Sequence, residues 1–421
     1  MTLAEQRELE KDYVMATFGR KPVELVSGSG MEAVDDKGRR YLDFIGGIGV
    51  LSLGHCHPAV VEAVQNQAAT LMHVSNYYYI EGRGEVAKAV SDLLNARVPE
   101  ADRMPWKSFF ANSGAEANEC AIKVARLHAR KQAAARARAK GANEDAARTI
   151  AKAAPQLIVT LEGSFHGRTL ASLAATAQPA KQEAFQPLPG GFVATPINDV
   201  GALELLFAQR GYEICAVMVE CIQGESGVHP CTAEFLQAAR RLTQEHGALL
   251  VCDEVQCGVF RTGEPFGFQN FGITPDVVTI AKGIGDGFPL GICCARGAAG
   301  EALQPGDHGS TFGGSCLAVA AARATLEQLA DGAIARNVKE VGAYLRERLA
   351  TLPAVREVRG LGLMVAADLD EGADAADVVL RGLDEGLLLN CTGPHTLRFL
   401  PPLVCGKQHV DALIEQLGRL L

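Results

Sequence analysis

The 421-residue sequence has few aromatic residues, since Phe, Trp and Tyr make up 6% of the chain and tryptophan occurs once. It also has no long uncharged apolar run. Stretches such as 248–252 are far shorter than the roughly 20 residues that a membrane helix needs, so we expect no membrane-spanning segment. Residues 1–8 include no apolar core of the kind found in secretory signals, and we therefore expect a cytoplasmic protein.

The sequence has no excess of basic residues. It contains 40 lysine and arginine residues and 49 aspartate and glutamate residues, which gives a net charge of −9. An acidic balance offers nucleic acid no general electrostatic surface, so we expect no nucleic-acid partner. Hydrophobic residues (48%) and charged residues (21%) occur in the proportions of an ordinary globular protein. At about 150 residues per domain, the length predicts two to three domains, or a large domain with a smaller one.

The twelve cysteines are scattered from Cys56 to Cys405, and none belongs to a C-x-x-C pair. Because disulfide frameworks belong to short secreted chains, we expect reduced, buried thiols. The cluster His55, Cys56 and His57 suggests a metal, but two histidines two residues apart make no site without further ligands. We therefore predict an ordered turn at that point and no metal.

Between about residues 105 and 300, short apolar runs alternate with longer helical patterns. The runs are apolar on both faces, as in strands covered on two sides, and the alternation is typical of a mostly parallel α/β sheet sandwiched by helices. The predicted strands are 106–110, 157–161, 215–219, 249–252 and 277–281, with helices over 116–131 and 232–246 between them.

The two ends of the chain have a different pattern. We expect residues 1–70 to join residues 301–421 in a smaller α+β domain, and residues 71–300 to form the large domain. The C-terminal part has helical patterns at 317–330, 334–352, 375–385 and 408–421, with a strand at 362–368.

The segment 126–155 is rich in alanine, arginine and lysine, a strongly helix-forming composition. A basic arm that contacts nucleic-acid phosphates is one interpretation. The lack of interleaved aromatics favours a solvated helical extension.

A helix start that could bind phosphate follows the first predicted strand of the sheet. Ser113 and Glu116 have the three-residue spacing of a capping box, which marks the first turn of a helix. Gly114 permits a ligand to approach the backbone closely, and free amides at a helix start attract phosphate. A plain helix cap explains the same pattern, so both interpretations stay open at this point.

Functional residue types follow three further strands, at the edge where ligands bind in open α/β sheets. Phe165 and Arg168 offer a ring that can stack on a planar ligand and a guanidinium that can grip a carboxylate. Asp253 ends an apolar run, where a buried carboxylate needs a positive partner. Lys282 ends another, where apolar surroundings favour imine chemistry. Together these are the parts that hold pyridoxal phosphate.

In their order and spacing, the motifs resemble those of the class III, fold-type-I pyridoxal-phosphate-dependent aminotransferases. The resemblance covers nearly the whole chain and implies a large domain with a mostly parallel sheet plus a smaller α+β domain from both chain ends. The chain departs from it in the length of segment 126–155 and at Ser315 and Cys316, where the family commonly has Asn-Pro. The shared motifs are YLDF at 41–44, GHCHP at 54–58, NSGAEANE at 112–119, FHGRT at 165–169, IQGE at 222–225, DEVQ at 253–256, GSTFGG at 309–314 and RFLPPL at 398–403.

The resemblance implies a role for each residue of the cofactor site. Lys282 would attach pyridoxal phosphate covalently and move a proton between substrate and cofactor, while Asp253 would pair with the ring nitrogen. Phe165 and Val255 would pack on the two faces of the ring, with Gln256 near its hydroxyl group.

The phosphate of the cofactor would be bound by Ser113, Gly114 and Ala115, with a contribution from Thr311 of the partner subunit. The resemblance therefore implies a homodimer with active sites at the subunit interface.

For the substrates, Arg168 matches a position that binds a carboxylate, and Ser310 is expected to contact the substrate as well. Arg398 matches the position that binds the α-carboxylate of glutamate or 2-oxoglutarate. Glu225 matches a switch residue that neutralises this arginine when the other substrate is bound, because an unpaired buried charge is costly.

The branch of the family that uses acetylornithine is the most similar, which implies amino transfer from N2-acetyl-L-ornithine to 2-oxoglutarate in arginine biosynthesis. Ile48 supports this donor, because enzymes that use free ornithine tend to carry tyrosine at that position. Ornithine, 4-aminobutyrate and succinyl-diaminopimelate stay alternative donors. Glu225 and Arg398 count against an aminomutase, and Lys282 with Asp253 counts against a non-catalytic relative.

Overall fold

The structure is a computed structural model that describes residues 2–421. The strands are β1 Leu25–Ser29, β2 Glu32–Asp35, β3 Arg40–Asp43, β4 Trp106–Ala111, β5 Leu157–Leu161, β6 Phe192–Thr195, β7 Ile214–Val219, β8 Ile222–Gln223, β9 His229–Pro230, β10 Leu249–Asp253, β11 Val277–Ile280, β12 Gly291–Arg296, β13 Val355–Leu361, β14 Met364–Leu369, β15 Leu387–Leu388, β16 Asn390–Cys391 and β17 Thr396–Phe399.

The α-helices lie between these strands and at both ends of the chain. They are α1 Leu3–Tyr13, α2 Gly46–Gly49, α3 Pro58–Thr70, α4 Arg83–Leu94, α5 Gly114–Ala139, α6 Glu144–Lys152, α7 Leu170–Ala175, α8 Pro179–Gln182, α9 Val200–Arg210, α10 Ala233–His246, α11 Gly297–Gly300, α12 Cys316–Leu329, α13 Ala333–Leu349, α14 Ala375–Asp384 and α15 Lys407–Leu420.

A seven-stranded sheet in the order β4-β12-β11-β10-β7-β5-β6 forms the centre of the molecule. All its neighbouring strands run parallel except β12, which is antiparallel to both β11 and β4. The chain reverses here because segment 281–290 is too short for the crossover that a parallel neighbour needs. The prediction of a mostly parallel α/β sheet is confirmed, although its five strands did not include β6 or the antiparallel β12.

Helices cover both faces of this sheet, which explains why its strands are apolar throughout. Along β10, Leu250 and Cys252 pack into the core that includes residues of α10. Leu249 and Val251 alternate with them and pack against residues of α5 on the other face. Because both faces are buried, period-two alternation of polar residues is lost and the strand reads as a continuous apolar run.

Two four-stranded sheets and the two-stranded sheet β8-β9 lie outside the central one. The first has the order β1-β2-β3-β15, so the N-terminal strand β3 pairs in parallel with the C-terminal strand β15. The second, β13-β14-β17-β16, is built from antiparallel neighbours near the C-terminus. The two chain ends therefore share one sheet, while the boundaries at residues 70 and 300 stay predictions.

The basic segment 126–155 is helical, as its composition predicts. Helix α5 continues to Ala139, and α6 returns alongside it, with a small alanine cluster of Ala134, Ala137 and Ala147 between them. Arg138 also forms an ion pair with Glu144, at 2.7 Å between Nε and Oε1. The extension is thus a packed helical hairpin rather than a single exposed helix.

The cysteines are reduced and mostly buried, and His55 contacts a neighbouring carboxylate. Every cysteine is a free thiol, and all are buried except Cys56 and Cys391. His55 lies with Nε2 2.8 Å from Asp43 Oδ2, so that its ring is held by a carboxylate. Among residues 2–421, no group of three or more metal-binding side chains occurs, and no helix is long and apolar enough to cross a membrane.

Candidate active site

A cavity of about 450 Å³ opens at the carboxyl edge of the central sheet, beyond the ends of β4, β5, β10 and β11. This is the edge where parallel sheets bind their ligands. The structure brings nine of the predicted site residues to the lining of this cavity, namely Ser113, Gly114, Ala115, Phe165, Arg168, Asp253, Val255, Gln256 and Lys282.

The start of helix α5 forms one end of the cavity. Ser113 is the N-cap, and its Oγ accepts a hydrogen bond from Glu116 N at 3.2 Å. The reciprocal bond of a capping box is displaced, because the Glu116 carboxylate accepts from Asn112 N at 2.6 Å instead of from the cap residue. The first amides of α5 have no carbonyl partner within the helix, so this end presents donors for an anion.

Gly114 is needed at the helix start because Val255 lies against it. A Cβ atom added at Gly114 would lie 2.7 Å from Val255 Cγ1, closer than the two carbon atoms can approach. The absence of a side chain keeps the cavity open between the helix start and the residues that follow β10. The requirement is therefore one of space, since Gly114 has an ordinary helical backbone.

Asp253 is buried at the end of β10 and fully hydrogen-bonded. Its Oδ2 accepts from Asn118 Nδ2 at 2.7 Å and lies 2.8 Å from His166 Nδ1, while Oδ1 accepts from Val255 N at 3.0 Å. Burial lowers the pKa of His166, but the hydrogen bond and charge of Asp253, with the charge of Glu220, raise that pKa above its usual value overall. These contacts fix the carboxylate in one orientation.

Asn118 and His166 were not predicted as site residues. The sequence does contain a signal for Asn118, which lies four residues after Gly114 and therefore on the same face of α5. His166 stands inside the FHGRT motif, but only the folded chain shows that its ring turns away from solvent towards Asp253.

Lys282 lies two residues after the end of β11 and has a left-handed backbone, with φ of 47°. The left-handed backbone region is unfavourable for a residue with a side chain such as lysine, and backbone strain of this kind is typical of functional sites. Burial lowers the pKa of Lys282 below its usual value, assisted by the charge of Arg398 and opposed by Glu225, Asp253 and Glu220. A lower pKa increases the share of neutral amine, the form that attacks a carbonyl group.

Arg398 and Glu225 meet beside the cavity. Arg398 Nη1 donates to Glu225 Oε1 at 2.7 Å and to Gly224 O at 3.0 Å, and the guanidinium also donates to Asn390 Oδ1. Gln256 Nε2 donates to the same Glu225 oxygen at 3.2 Å. Burial raises the pKa of Glu225, but Arg398 outweighs it and holds that pKa below its usual value.

Glu220 is a buried cavity residue that the sequence analysis missed. Its Oε2 accepts from Phe165 N at 2.8 Å, and its Oε1 accepts from Gly224 N at 3.4 Å. Burial raises the pKa of Glu220 to about 7. The signal for it was present, because a carboxylate directly after an apolar strand is the pattern that identified Asp253.

Arg168, at the edge of the cavity lining, and the loop residues Ser310 and Thr311 lie at or beyond the mouth of the cavity. Arg168 is exposed, with Cζ 5.5 Å from the centre of the Phe165 ring. Ser310 Oγ lies 3.1 Å from Asn112 Nδ2, at the side of the helix start. Thr311 is exposed and does not line the cavity of its own chain.

A seven-stranded, mostly parallel sheet with this cavity at its carboxyl edge is the fold type I of the pyridoxal-phosphate-dependent transferases. Within that class, the family model for the class III aminotransferases matches residues 15–421, and the chain belongs to this family. The resemblance read from the motifs is therefore confirmed.

Individual relatives are similar over nearly their whole length. The acetylornithine aminotransferase of Caldanaerobacter subterraneus subsp. tengcongensis is 42% identical over 98% of both chains, and that of Methanocaldococcus jannaschii is 43% identical over 98% of this chain and 97% of its own. Among solved structures, the ornithine aminotransferase of Toxoplasma gondii ME49 is 29% identical with a TM-score of 0.87, covering 100% of this chain and 95% of its own. The N-acetylornithine aminotransferase of Stenotrophomonas maltophilia K279a is 34% identical with a TM-score of 0.77, covering 98% and 97%.

Proposed function

We propose that the protein transfers the amino group of N2-acetyl-L-ornithine to 2-oxoglutarate with pyridoxal phosphate as cofactor. The products are N-acetyl-L-glutamate 5-semialdehyde and L-glutamate, which places the reaction in arginine biosynthesis in the cytoplasm. The observation that carries the proposal is the convergence of Lys282, Asp253 and the start of α5 on one cavity. Full-length identity of more than 40% to acetylornithine aminotransferases supports the choice of donor over free ornithine.

The residues of the cavity fit pyridoxal phosphate. The helix start at Ser113 supplies backbone donors for a phosphate, and the space left by Gly114 lets that group approach them. Asp253 supplies a fixed carboxylate that would keep a ring nitrogen protonated, while Lys282 supplies an amine. When bound, the cofactor supplies an electron-accepting ring that stabilises negative charge at the substrate carbon.

The side chains of this chain would bind, orient and move protons around that ring. Phe165 and Val255 would pack on its faces, and Gln256 would lie near its hydroxyl group. The Lys282 amine would hold the cofactor and act as the base that moves the proton of the substrate carbon. Its lowered pKa suits that role, because a general base must be neutral at working pH.

Two substrates of different charge must use the same cavity, and we assign their discrimination to Glu225 and Arg398. With the acetylated donor bound, Glu225 neutralises Arg398 through the 2.7 Å ion pair. With 2-oxoglutarate or glutamate bound, Glu225 moves aside and Arg398 binds the α-carboxylate. Arg168 and Ser310 at the mouth would contact the other end of the substrate.

We further propose a homodimer in which Thr311 of the partner subunit completes the phosphate site. The support is an apolar surface beside the 310–312 loop. Asn76 Nδ2 donates to Ser310 O at 2.8 Å, and the His73 and Phe312 rings lie 5.2 Å apart, so that segment 73–79 and this loop form one surface. Its exposed members are Tyr77, Tyr78, Tyr79 and Phe312.

The deciding experiment is the visible absorption spectrum of the purified protein reconstituted with pyridoxal phosphate. The spectrum is recorded before and after N2-acetylornithine, ornithine or 4-aminobutyrate is added without any keto acid. We expect a band of the covalently bound cofactor that N2-acetylornithine bleaches efficiently and the other amines do not. Bleaching by another amine would overturn the donor but not the cofactor chemistry. No band at all would overturn the role of Lys282, and Lys282→Ala provides the matched negative control.

A further inference from the structure

Two cations lie close to the ring of Phe165, which lines the cavity. Arg168 Cζ lies 5.5 Å and Lys181 Nζ lies 5.8 Å from the centre of that ring. Arg168 is exposed and Lys181 is partly buried. Aromatic faces attract cations, so the ring gathers both positive groups at one place.

Neither cation forms an ion pair within the described part of the chain. No carboxylate of residues 2–421 lies within 4.0 Å of Arg168 or Lys181, whereas Arg398 deeper in the site is paired with Glu225. Both positive charges lie close to the same ring, and an anion bound near that ring would be attracted by both. The pair is therefore prepared for an anionic ligand.

The ammonium group of Lys181 is positioned by its own short helix. Lys181 Nζ donates to Gln178 Oε1, and Gln178 Nε2 in turn donates to Gly163 O and Ser164 O, each at 3.0 Å. Gln182 Nε2 anchors the end of the helix through Thr176 O at 2.7 Å. A positioned cation loses less freedom on binding than a mobile surface lysine does.

Lys181 also lies within the electrostatic field of the active site. Burial lowers the pKa of Lys181, the charges of Arg168 and Arg398 lower it further, and Glu225 and Glu220 oppose them. The same four side chains face the cavity or its mouth, so the charge of Lys181 is coupled to the groups that handle substrate.

We propose that Arg168 and Lys181 together form a carboxylate subsite, and that Lys181 determines specificity for amino donors that carry an α-carboxylate. This inference rests on the proposed function, which assigns a substrate carboxylate to Arg168 alone. With a monocarboxylate donor bound, Arg398 stays paired with Glu225, and the donor's single carboxylate lies near the two cations beside Phe165. A donor without that carboxylate gains nothing from Lys181.

The test compares two donors that differ only in the carboxylate. N-acetylputrescine is N2-acetylornithine without its carboxylate, and bleaching of the cofactor band reports the half-reaction of each donor with the holoenzyme. We expect Lys181→Met to weaken apparent binding of N2-acetylornithine about tenfold, the effect of losing one charged contact. The maximal rate and the reaction of N-acetylputrescine should stay within about twofold of wild type, since neither depends on that contact.

Two control variants complete the design. Lys181→Arg keeps the positive charge and should restore binding, and Lys152→Met removes an exposed lysine at the end of α6 and should change nothing. If Lys181→Met weakens the binding of both donors equally, Lys181 has a structural role and the proposed subsite is overturned. If the variant weakens the binding of neither donor, the subsite is overturned as well. If the wild-type protein reacts with ornithine and not with N2-acetylornithine, the proposed donor is wrong. A comparison of ornithine with putrescine, which lacks the carboxylate, then tests the subsite in the same way.

Discussion

Arg398 and Glu225 join two segments that lie 173 positions apart in the sequence, with 2.7 Å between Nη1 and Oε1. The arginine is 2% exposed, so its charge must meet an anion inside the protein. Gly224 O and Asn390 Oδ1 also accept hydrogen bonds from the Arg398 guanidinium, but neither acceptor carries a charge. Glu225 is therefore the one carboxylate that an incoming substrate carboxylate has to displace.

Glu225→Ala should shift donor preference from N2-acetylornithine to glutamate. Without Glu225, Arg398 is unpaired when the acetylated donor is bound and free for the α-carboxylate of glutamate. We expect the ratio of kcat/KM for glutamate to that for N2-acetylornithine to rise about tenfold or more, as for one buried charge contact. The matched control is Glu385→Ala, which removes a surface ion pair with Arg419. An unchanged ratio would contradict the switch.

Asn118→Leu should weaken retention of pyridoxal phosphate. The substitution removes the 2.7 Å hydrogen bond to Asp253 Oδ2 with little change in volume. A hydrogen bond to a charged group contributes about 1.5–3 kcal/mol, so we expect release of the cofactor to accelerate by about tenfold or more. The measurement is decay of the cofactor band after dilution or dialysis.

The control for this variant is Asn337→Leu, which removes hydrogen bonds to Leu403 O and Cys405 O away from the cavity. Equally fast cofactor release from both variants would show that general loss of stability, and not the orientation of Asp253, is responsible.

Asp286→Asn should stabilise the protein at pH 8 but not near pH 4. Burial raises the pKa of Asp286 to about 6, against hydrogen bonds from Leu53 and Ser52 amides and the charge of His55. The folded protein therefore holds the proton more tightly than the unfolded chain, so the stability of the wild type falls as the pH rises from about 4 to about 6. Asparagine stays neutral and tolerates the left-handed backbone, with φ of 43°.

The expected gain in the free energy of unfolding above pH 6 is at most about 3 kcal/mol, from a pKa difference of about two units. Thermal melts of both proteins from pH 4 to pH 8 measure it. A difference in melting temperature that does not depend on pH would mean that the charge of Asp286 is not its cause.

The centre of the site could be predicted from local sequence, because its residues interrupt apolar strands. Asp253 and Lys282 each end a run that is buried on both faces, so their polarity requires an explanation at that point of the chain. Glu220 directly follows the apolar strand β7 in the same way, but it was not among the predicted site residues. Its bonds to Phe165 and Gly224 amides exist only after two loops have met.

Other features depend on tertiary contacts that no local pattern carries. Lys181 is an ordinary lysine in a polar stretch, and only the packing of α8 against the Phe165 loop brings it to the Phe165 ring. The alanine-rich segment predicted a helix, but the reversal into a hairpin requires Gly141, whose φ is 87°, and the cap at Asn143. Propensity gives the conformation of such segments, and packing determines their direction.

Tyr78→Asp and Tyr79→Asp should convert the proposed dimer into monomers. Both rings are exposed, Tyr79 almost completely, and a carboxylate buried in an apolar interface is strongly unfavourable. We expect light scattering after size-exclusion chromatography to report the monomer mass, together with weaker retention of cofactor, because each site loses Thr311 of the partner subunit.

Tyr212→Asp is the matched control, since Tyr212 is also exposed but lies at the end of α9 away from segment 73–79. It should leave both mass and cofactor retention unchanged. If the Tyr78 and Tyr79 variants stay dimeric, the surface beside the 310–312 loop is not the interface. If they become monomeric but retain cofactor as the wild type does, the partner's Thr311 is not needed for the phosphate site.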